Sequence, residues 1–289
     1  MVAASSALFG IVPVFVKEAS ARGVEVLPLT ICRLMVMVLL SAGAAALRRV
    51  SFRATAAQLL QLALFGTAGF GLTNLLLSSA YLSVAMGTAT ICHFIYPVLV
   101  MVMARLFFGE RCRGLKRPAL LSALCGVVLL AAVGGGGSLG GIALAVLSGF
   151  TYGVYVIAMD KAAFRSLDPL LVILYGGGAC LAFFLGCYAL VTGGPLPLSV
   201  PPAAWPAIVL SSLLGMAAVL LLCGGIRLLG ASTAAFLNML EPITNTCVDL
   251  VIYGVFPSPA EWTGYGLMLL SILLISLENV REEKRAVTC

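Results

Sequence analysis

Apolar residues run along this chain in stretches of about 20, the length a helix needs to cross the hydrocarbon core of a bilayer. Such runs open near Ala3, Leu27, Leu59, Val84 and Pro118, and again near Leu139, Asp168, Pro206, Ala231 and Trp262. Gly134–Gly137 and the region of Ser83 mark tight links between runs, and the stretch from Gly193 to Pro206 reads as a loop from its prolines and glycines. The pattern predicts an all-α membrane protein of ten transmembrane helices. The first run follows Met1 with no basic segment ahead of it, so it reads as a retained helix and not a cleaved leader.

Polar positions inside the runs are few, and one set of them is periodic. Asn238, Glu241, Asn245 and Asp249 recur at helical spacing and fall on one stripe. Their neighbours Phe236, Leu237, Leu240, Val248, Leu250 and Val251 are apolar. A polar stripe in a membrane helix either lines a water-filled path or forms a hydrogen-bonded seam with another helix. Pro97 and Pro242 have no amide hydrogen to give, so the carbonyls of His93 and Asn238 are expected to lose their helical partners. Freed backbone at mid-depth is tolerated where it lines a cavity or is buried in protein; kinks made only for packing are the alternative.

Composition agrees with the pattern: 62% of the 289 residues are apolar and 10% charged, with mean hydropathy +1.13. A soluble domain is nearer half apolar and a quarter charged. The formal charge of +6 does not mark a nucleic-acid binder, because the basic residues sit in short loops between apolar runs. With a cytoplasmic amino terminus, the inner loops and helix ends hold Arg48, Arg49, Arg53, Arg105, Arg111, Arg113, Lys116, Arg117, Lys161, Arg165, Arg227, Arg281, Lys284 and Arg285. Only Lys17 and Arg22 fall outside, and Arg33 lies within the second run. Both termini are therefore expected in the cytoplasm of a multi-pass protein of the plasma or inner membrane. Trp205 and Trp262 fall at the outer interface, where amphipathic rings anchor. Most of the nine cysteines lie inside apolar runs with no CxxC pair, and no phosphate-binding glycine loop occurs. No metal, no cofactor and no nucleotide hydrolysis is expected.

The halves of the chain resemble each other. Laying Pro97 on Pro242 places Met86–Pro97 on Ala231–Pro242, Thr88 on Thr233, Ala89 on Ala234 and Gly109 on Gly254. Five runs per copy make the second copy face the opposite way, the architecture that lets one site open alternately to either side. The expected units are residues 1–133 and 139–280 as two inverted five-helix repeats, with 281–289 as a short cytoplasmic tail.

The stretch Ala80-Tyr81 through Ala89, Pro97 and Ala104 to Phe107-Phe108-Gly109-Glu110 resembles the signature of the EamA family of the drug/metabolite transporter superfamily, and Arg33 resembles an arginine common there. The second copy departs from it, with Gly254-Val255 in place of Gly-Glu. The resemblance implies a ten-helix bundle around a central cavity, often an exporter of amino acids or other metabolites.

The residues themselves nominate a site. His93 is the single histidine and could shuttle protons or bind an anionic group, or simply hold a neighbouring helix. Glu241 is the stronger candidate for coupling, since substrate and proton could compete for its carboxylate. Asp249 lies about 12 Å along the helix from Glu241 by the 1.5 Å rise per residue, at a depth comparable to Arg33. The two are expected to pair or to close an outer gate; a static ion pair or a snorkelling arginine is the alternative. Tyr96, Tyr152, Tyr155 and Asn74 complete the candidate substrate wall. Gly66, Gly69, Gly71, Gly215, Gly224 and Gly225 would permit close packing or bending, and Ser122 with Gly126 offers a homodimer contact. The expected function is a secondary transporter moving an amino acid, amine or related small solute, with protons as a candidate partner. The alternative is a membrane-embedded enzyme or lipid-modifying protein using Glu241, His93 and Asp249.

Overall fold

The computed structural model describes residues 1–80, 83–84, 86–109, 114–133, 138–192, 200–254, 256 and 258–288. Among the described residues the regular structure is helical: α1 (Val2–Ala21), α2 (Val26–Leu47), α3 (Ala56–Phe65), α4 (Leu72–Ala80), α5 (Met86–His93), α6 (Tyr96–Phe108), α7 (Lys116–Val133), α8 (Leu139–Lys161), α9 (Pro169–Thr192), α10 (Trp205–Leu237), α11 (Leu240–Tyr253) and α12 (Pro259–Thr288). Among the described residues, eight stretches are long and apolar enough to cross a membrane, from Val2–Ala21 to Pro259–Glu278.

Two of the expected runs share one element. The run expected from Pro206 and the one expected from Ala231 are joined in α10, which breaks its helical backbone only at Gly230, with φ 77° and ψ 163°. That conformation is open to glycine and costly for residues with a Cβ. The second of these runs then continues through Asn238 and Met239 into the 14 residues of α11.

Local chemistry accounts for several element ends. Thr55 opens α3 with a reciprocal cap: its Oγ1 accepts from the Gln58 amide at 3.3 Å, while Gln58 Oε1 accepts from the Thr55 amide at 2.8 Å. Ser138 Oγ caps α8 through the Gly141 amide at 3.0 Å. Pro97 stands in the first turn of α6, and the chain breaks between His93 and Tyr96 to accommodate it. A π-helical turn over Gly66–Gly71 links α3 to α4, a feature that the apolar pattern did not foretell.

The helices pack across the two halves. α1 lies against α10 and α11, α8 against α4, α5 and α6, α2 against α9, and α7 against α12. Tyr96, Phe94, Phe236, Leu62 and Met239 fill the interior, while Leu47, Leu60, Leu106 and Leu190 stand exposed on the outside of the bundle. Ser122 and Gly126 are used within the chain: the Ser122 hydroxyl donates to the Leu267 carbonyl at 2.7 Å, and a Cβ on Gly126 would sit 2.9 Å from the Gly264 carbonyl. Those residues face α12 and are spent there.

One end of the bundle gathers basic residues. Met1 packs on Gly224, Gln58 Nε2 reaches Ser166 Oγ at 3.1 Å, and Arg165 donates to the Arg227 carbonyl at 3.3 Å. Arg22, bonded to the Ala203 carbonyl, lies at the opposite end.

Candidate functional site

A cavity of about 140 Å³ occupies the half of the bundle away from the basic end. Its placement follows from chain direction. α4 contributes Thr73, Asn74, Leu77 and Ser78 as it runs away from the basic end, and α10 contributes Gly215 and Val219 before it reaches that end. α1 adds Phe9, Val12, Pro13 and Val16, and α2 adds Arg33 and Met37. His93, Tyr152 and Glu241 lie at mid-depth, where the broken helices α5–α6 and α10–α11 meet α8.

The proline breaks set this floor. On one side His93 stacks obliquely on Tyr96 and Tyr152, at ring separations of 5.5 and 5.4 Å, and the two tyrosines meet edge to face at 4.7 Å. His93 Nδ1 lies 2.9 Å from Ser148 Oγ, and the serine hydroxyl donates to the Ala145 carbonyl at 2.6 Å. With the serine hydroxyl's one hydrogen directed at Ala145, the arrangement fits donation from Nδ1 to Ser148. Beside it, Thr73 and Thr151 share a hydrogen bond of 2.7 Å between α4 and α8.

On the other side Asn238, at the end of α10, is fully engaged. Its Nδ2 donates to the Tyr96 hydroxyl at 2.8 Å and to Glu241 Oε2 at 3.2 Å, while its Oδ1 accepts from Ser6 at 2.9 Å. The Asn238 carbonyl corrects an expectation. It is not left free by Pro242 but accepts the Glu241 amide at 2.9 Å. The chain tightens into a turn before α11, which satisfies the carbonyl that the proline cannot.

Of the residues nominated by sequence, Arg33, Asn74, His93, Tyr152 and Glu241 line one cavity. Tyr96 and Asn238 form a layer behind it through the bonds above. Tyr155 packs instead against the Phe70 ring at 5.7 Å, and the half-buried Asn245 stands apart from the cavity wall. The expected pairing of Arg33 with Asp249 falls on a side chain outside the described residues. Arg33 Nε is buried without a hydrogen-bond partner among the described residues, and Glu241 makes no ion pair with a described residue. A guanidinium and a carboxylate thus line one cavity, neither with an ion-pair partner among the described residues.

Sequence reasoning missed Ser6, Thr73, Ser148 and Thr151, and the apolar wall residues Phe9, Pro13 and Phe70. Pro13, inside an uninterrupted apolar run, was the one visible signal. The hydroxyls carry no periodic pattern, and their partners lie far along the chain.

Comparison with known proteins places this geometry. A model of the EamA-like transporter family matches residues 1–132 and 139–277. A relative in Salmonella typhimurium, described as the uncharacterised inner membrane transporter YicL, is 26% identical over 214 residues, covering 69% of this chain and 67% of its own. A protein of Streptantibioticus cattleyicolor described as a probable terminal-alkyne amino-acid exporter is 28% identical over 239 residues, covering 82% and 79%. A solved crystal structure superposes with a TM-score of 0.76 over 94% of this chain and 95% of its own at 18% identity, a likeness of fold. Matched by the family model through both halves, and built of apolar helices around a mid-depth cavity, the chain belongs to the EamA-like transporter family and is a multi-pass membrane transporter.

Proposed function

We propose that this transporter is a secondary carrier for a small zwitterionic solute of amino-acid type, exported by alternating access. The observation that carries the reading is the presence of Arg33 and Glu241 on one cavity, neither with an ion-pair partner among the described residues: Arg33 to take a carboxylate and Glu241 to take an ammonium group. Phe9, Phe70, Met37 and Val219 leave an apolar region between them for a short side chain. The relative from Streptantibioticus cattleyicolor, described as a probable terminal-alkyne amino-acid exporter, supports a solute of amino-acid type. Family membership sets aside the enzyme alternative built on Glu241, His93 and Asp249.

The proposed frame is ten spans in two inverted five-helix repeats, with α10 divided at Gly230 between the eighth and ninth. Reciprocal packing supports it: α1 seats on α10–α11 of the other half, and α8 seats on α4 and α5–α6. Both proline breaks are met by a glycine of the other half. A Cβ on Gly149 would lie 2.5 Å from the His93 carbonyl, and one on Gly10 would lie 2.9 Å from the Glu241 carbonyl. The basic end, with both termini, is read as cytoplasmic. The cavity then faces outward, and Glu241 or His93 is the group through which protons would exchange for solute.

Purified protein in liposomes tests this directly, with radiolabelled neutral amino acids carrying short saturated or unsaturated side chains, with and without a pH gradient. Saturable uptake is expected, reduced at least about tenfold by either Arg33→Gln or Glu241→Gln, the loss of one charge-assisted contact of about 1.4 kcal/mol or more. Loss with Glu241→Gln alone would make the solute an amine. Transport by both variants at the rate of the unaltered protein would end the two-pole reading.

A further inference from the structure

Between the cavity floor and the basic end lies a carboxylate that the transport site does not use. Asp160, in the last turn of α8, is 4% exposed. Its Oδ2 accepts the Ala231 amide at 3.3 Å and lies 3.0 Å from Lys161 Nζ, and its Oδ1 faces Arg165 Nε at 3.5 Å. Arg165 in turn donates to the Arg227 carbonyl at 3.3 Å, and the Arg227 guanidinium donates to the Leu167 carbonyl. These bonds tie the end of α8 and the turn that follows it to α10 on both sides of Gly230.

The break at Gly230 explains why an acceptor is needed there. Its left-handed φ of 77° ends one helical segment and starts another, which puts the Ala231 amide at a helix start, where amides take acceptors from outside the helix. Asp160 supplies the acceptor from a different helix. A cap drawn from the same segment would hold the helix start only. This one also holds α8 against α10, the helix that lines the cavity at Gly215 and Val219. Gly215 and Val219 line the cavity, and Cys223 follows one turn inward on the same face of α10. Cys223 is 2% exposed, with its Sγ 3.5 Å from Met159 Sδ, one residue before Asp160.

We propose that Asp160 is a positioning residue of the transport cycle, latching the basic end shut while the cavity is open at the other end. Opening toward the basic end parts Asp160 from Ala231 and Arg165 from Arg227, and exposes Cys223. The proposal rests on the carrier reading above, but its test needs no solute.

The native Cys223 is the reporter, in a protein whose other cysteines are replaced by alanine. It is exposed to a bulky, charged, membrane-impermeant maleimide in sealed vesicles of each orientation. Asp160→Ala removes the acceptor for Ala231 together with both ion pairs. It is expected to raise the modification rate about fivefold from the basic end, the scale of one partly exposed ion pair, with no change from the other end. Arg165→Gln, which leaves the Ala231 bond in place, should act in the same direction and decides the matter if the first variant fails to fold. Unchanged rates in the variants, or equal increases from both ends, would overturn the latch and leave a mere helix cap. Failure here beside saturable uptake in liposomes sinks the latch alone, whereas side-specific labelling without uptake of any solute sinks the carrier reading.

Discussion

Asn238 holds three groups that would otherwise compete for water at mid-depth: the Tyr96 hydroxyl, the Glu241 carboxylate and the Ser6 hydroxyl. Ser6 has second acceptors in the Val2 and Leu237 carbonyls, but Glu241 Oε2 has no second donor among the described residues. Asn238→Ala should therefore cost about 1–3 kcal/mol, the price of stranding buried polar groups, and lower the thermal midpoint in detergent by several degrees. Glu241→Gln should leave that midpoint almost unmoved, because the new amide oxygen still accepts from Asn238. The pair of variants separates packing from transport at this layer: the first is expected to lose stability, the second to lose uptake. A Glu241→Gln protein as unstable as Asn238→Ala would make the carboxylate a structural group.

At the scale of elements, the two helix breaks depend on backbone approach across the halves. Gly149 admits the His93 carbonyl so closely that Gly149→Ala must shift α8 or the α5–α6 break. Overpacking of this kind costs about 1–3 kcal/mol, and it should widen the contact of His93 with Ser148. Uptake and thermal midpoint should fall together, in contrast to Glu241→Gln; an unmoved midpoint would mean that the break relaxes freely. The prolines behind these breaks were plain in the sequence, and so was the stripe containing Asn238 and Glu241, since both are local patterns within one helix. Gly149 was not legible, because its role is set by a carbonyl in another helix. The same reason hid Ser148, Thr73 and Ser6. The π turn at Gly66–Gly71 escaped because the apolar period continues through it, and Asp160 because it sits at a helix end where a charge is unremarked.

For the whole molecule, long apolar runs were legible because a bilayer leaves no other way to satisfy the backbone, whereas which run packs on which was not, since lipid-facing and buried faces are equally apolar. α7 illustrates it: Ser122 and Gly126 suggested a second copy of the chain, and the partner proved to be α12. That pairing has a consequence for assembly. α1, α2 and α7 of the first half each pack mainly on the second half, against α10–α11, α9 and α12. A half expressed alone would leave these faces, including the Ser5 hydroxyl that donates to the Ala218 carbonyl at 2.7 Å, without partners. Close backbone approaches such as Gly126 on Gly264 lose their dispersion contacts outright in that state. Cutting the chain between residues 133 and 138 and expressing both pieces together should therefore restore a complex that co-purifies and transports. Either piece alone should be degraded or aggregate. A first half that is stable and monodisperse by itself would mean that each repeat folds as a unit and that the exchange of helices between halves contributes little to holding the carrier together.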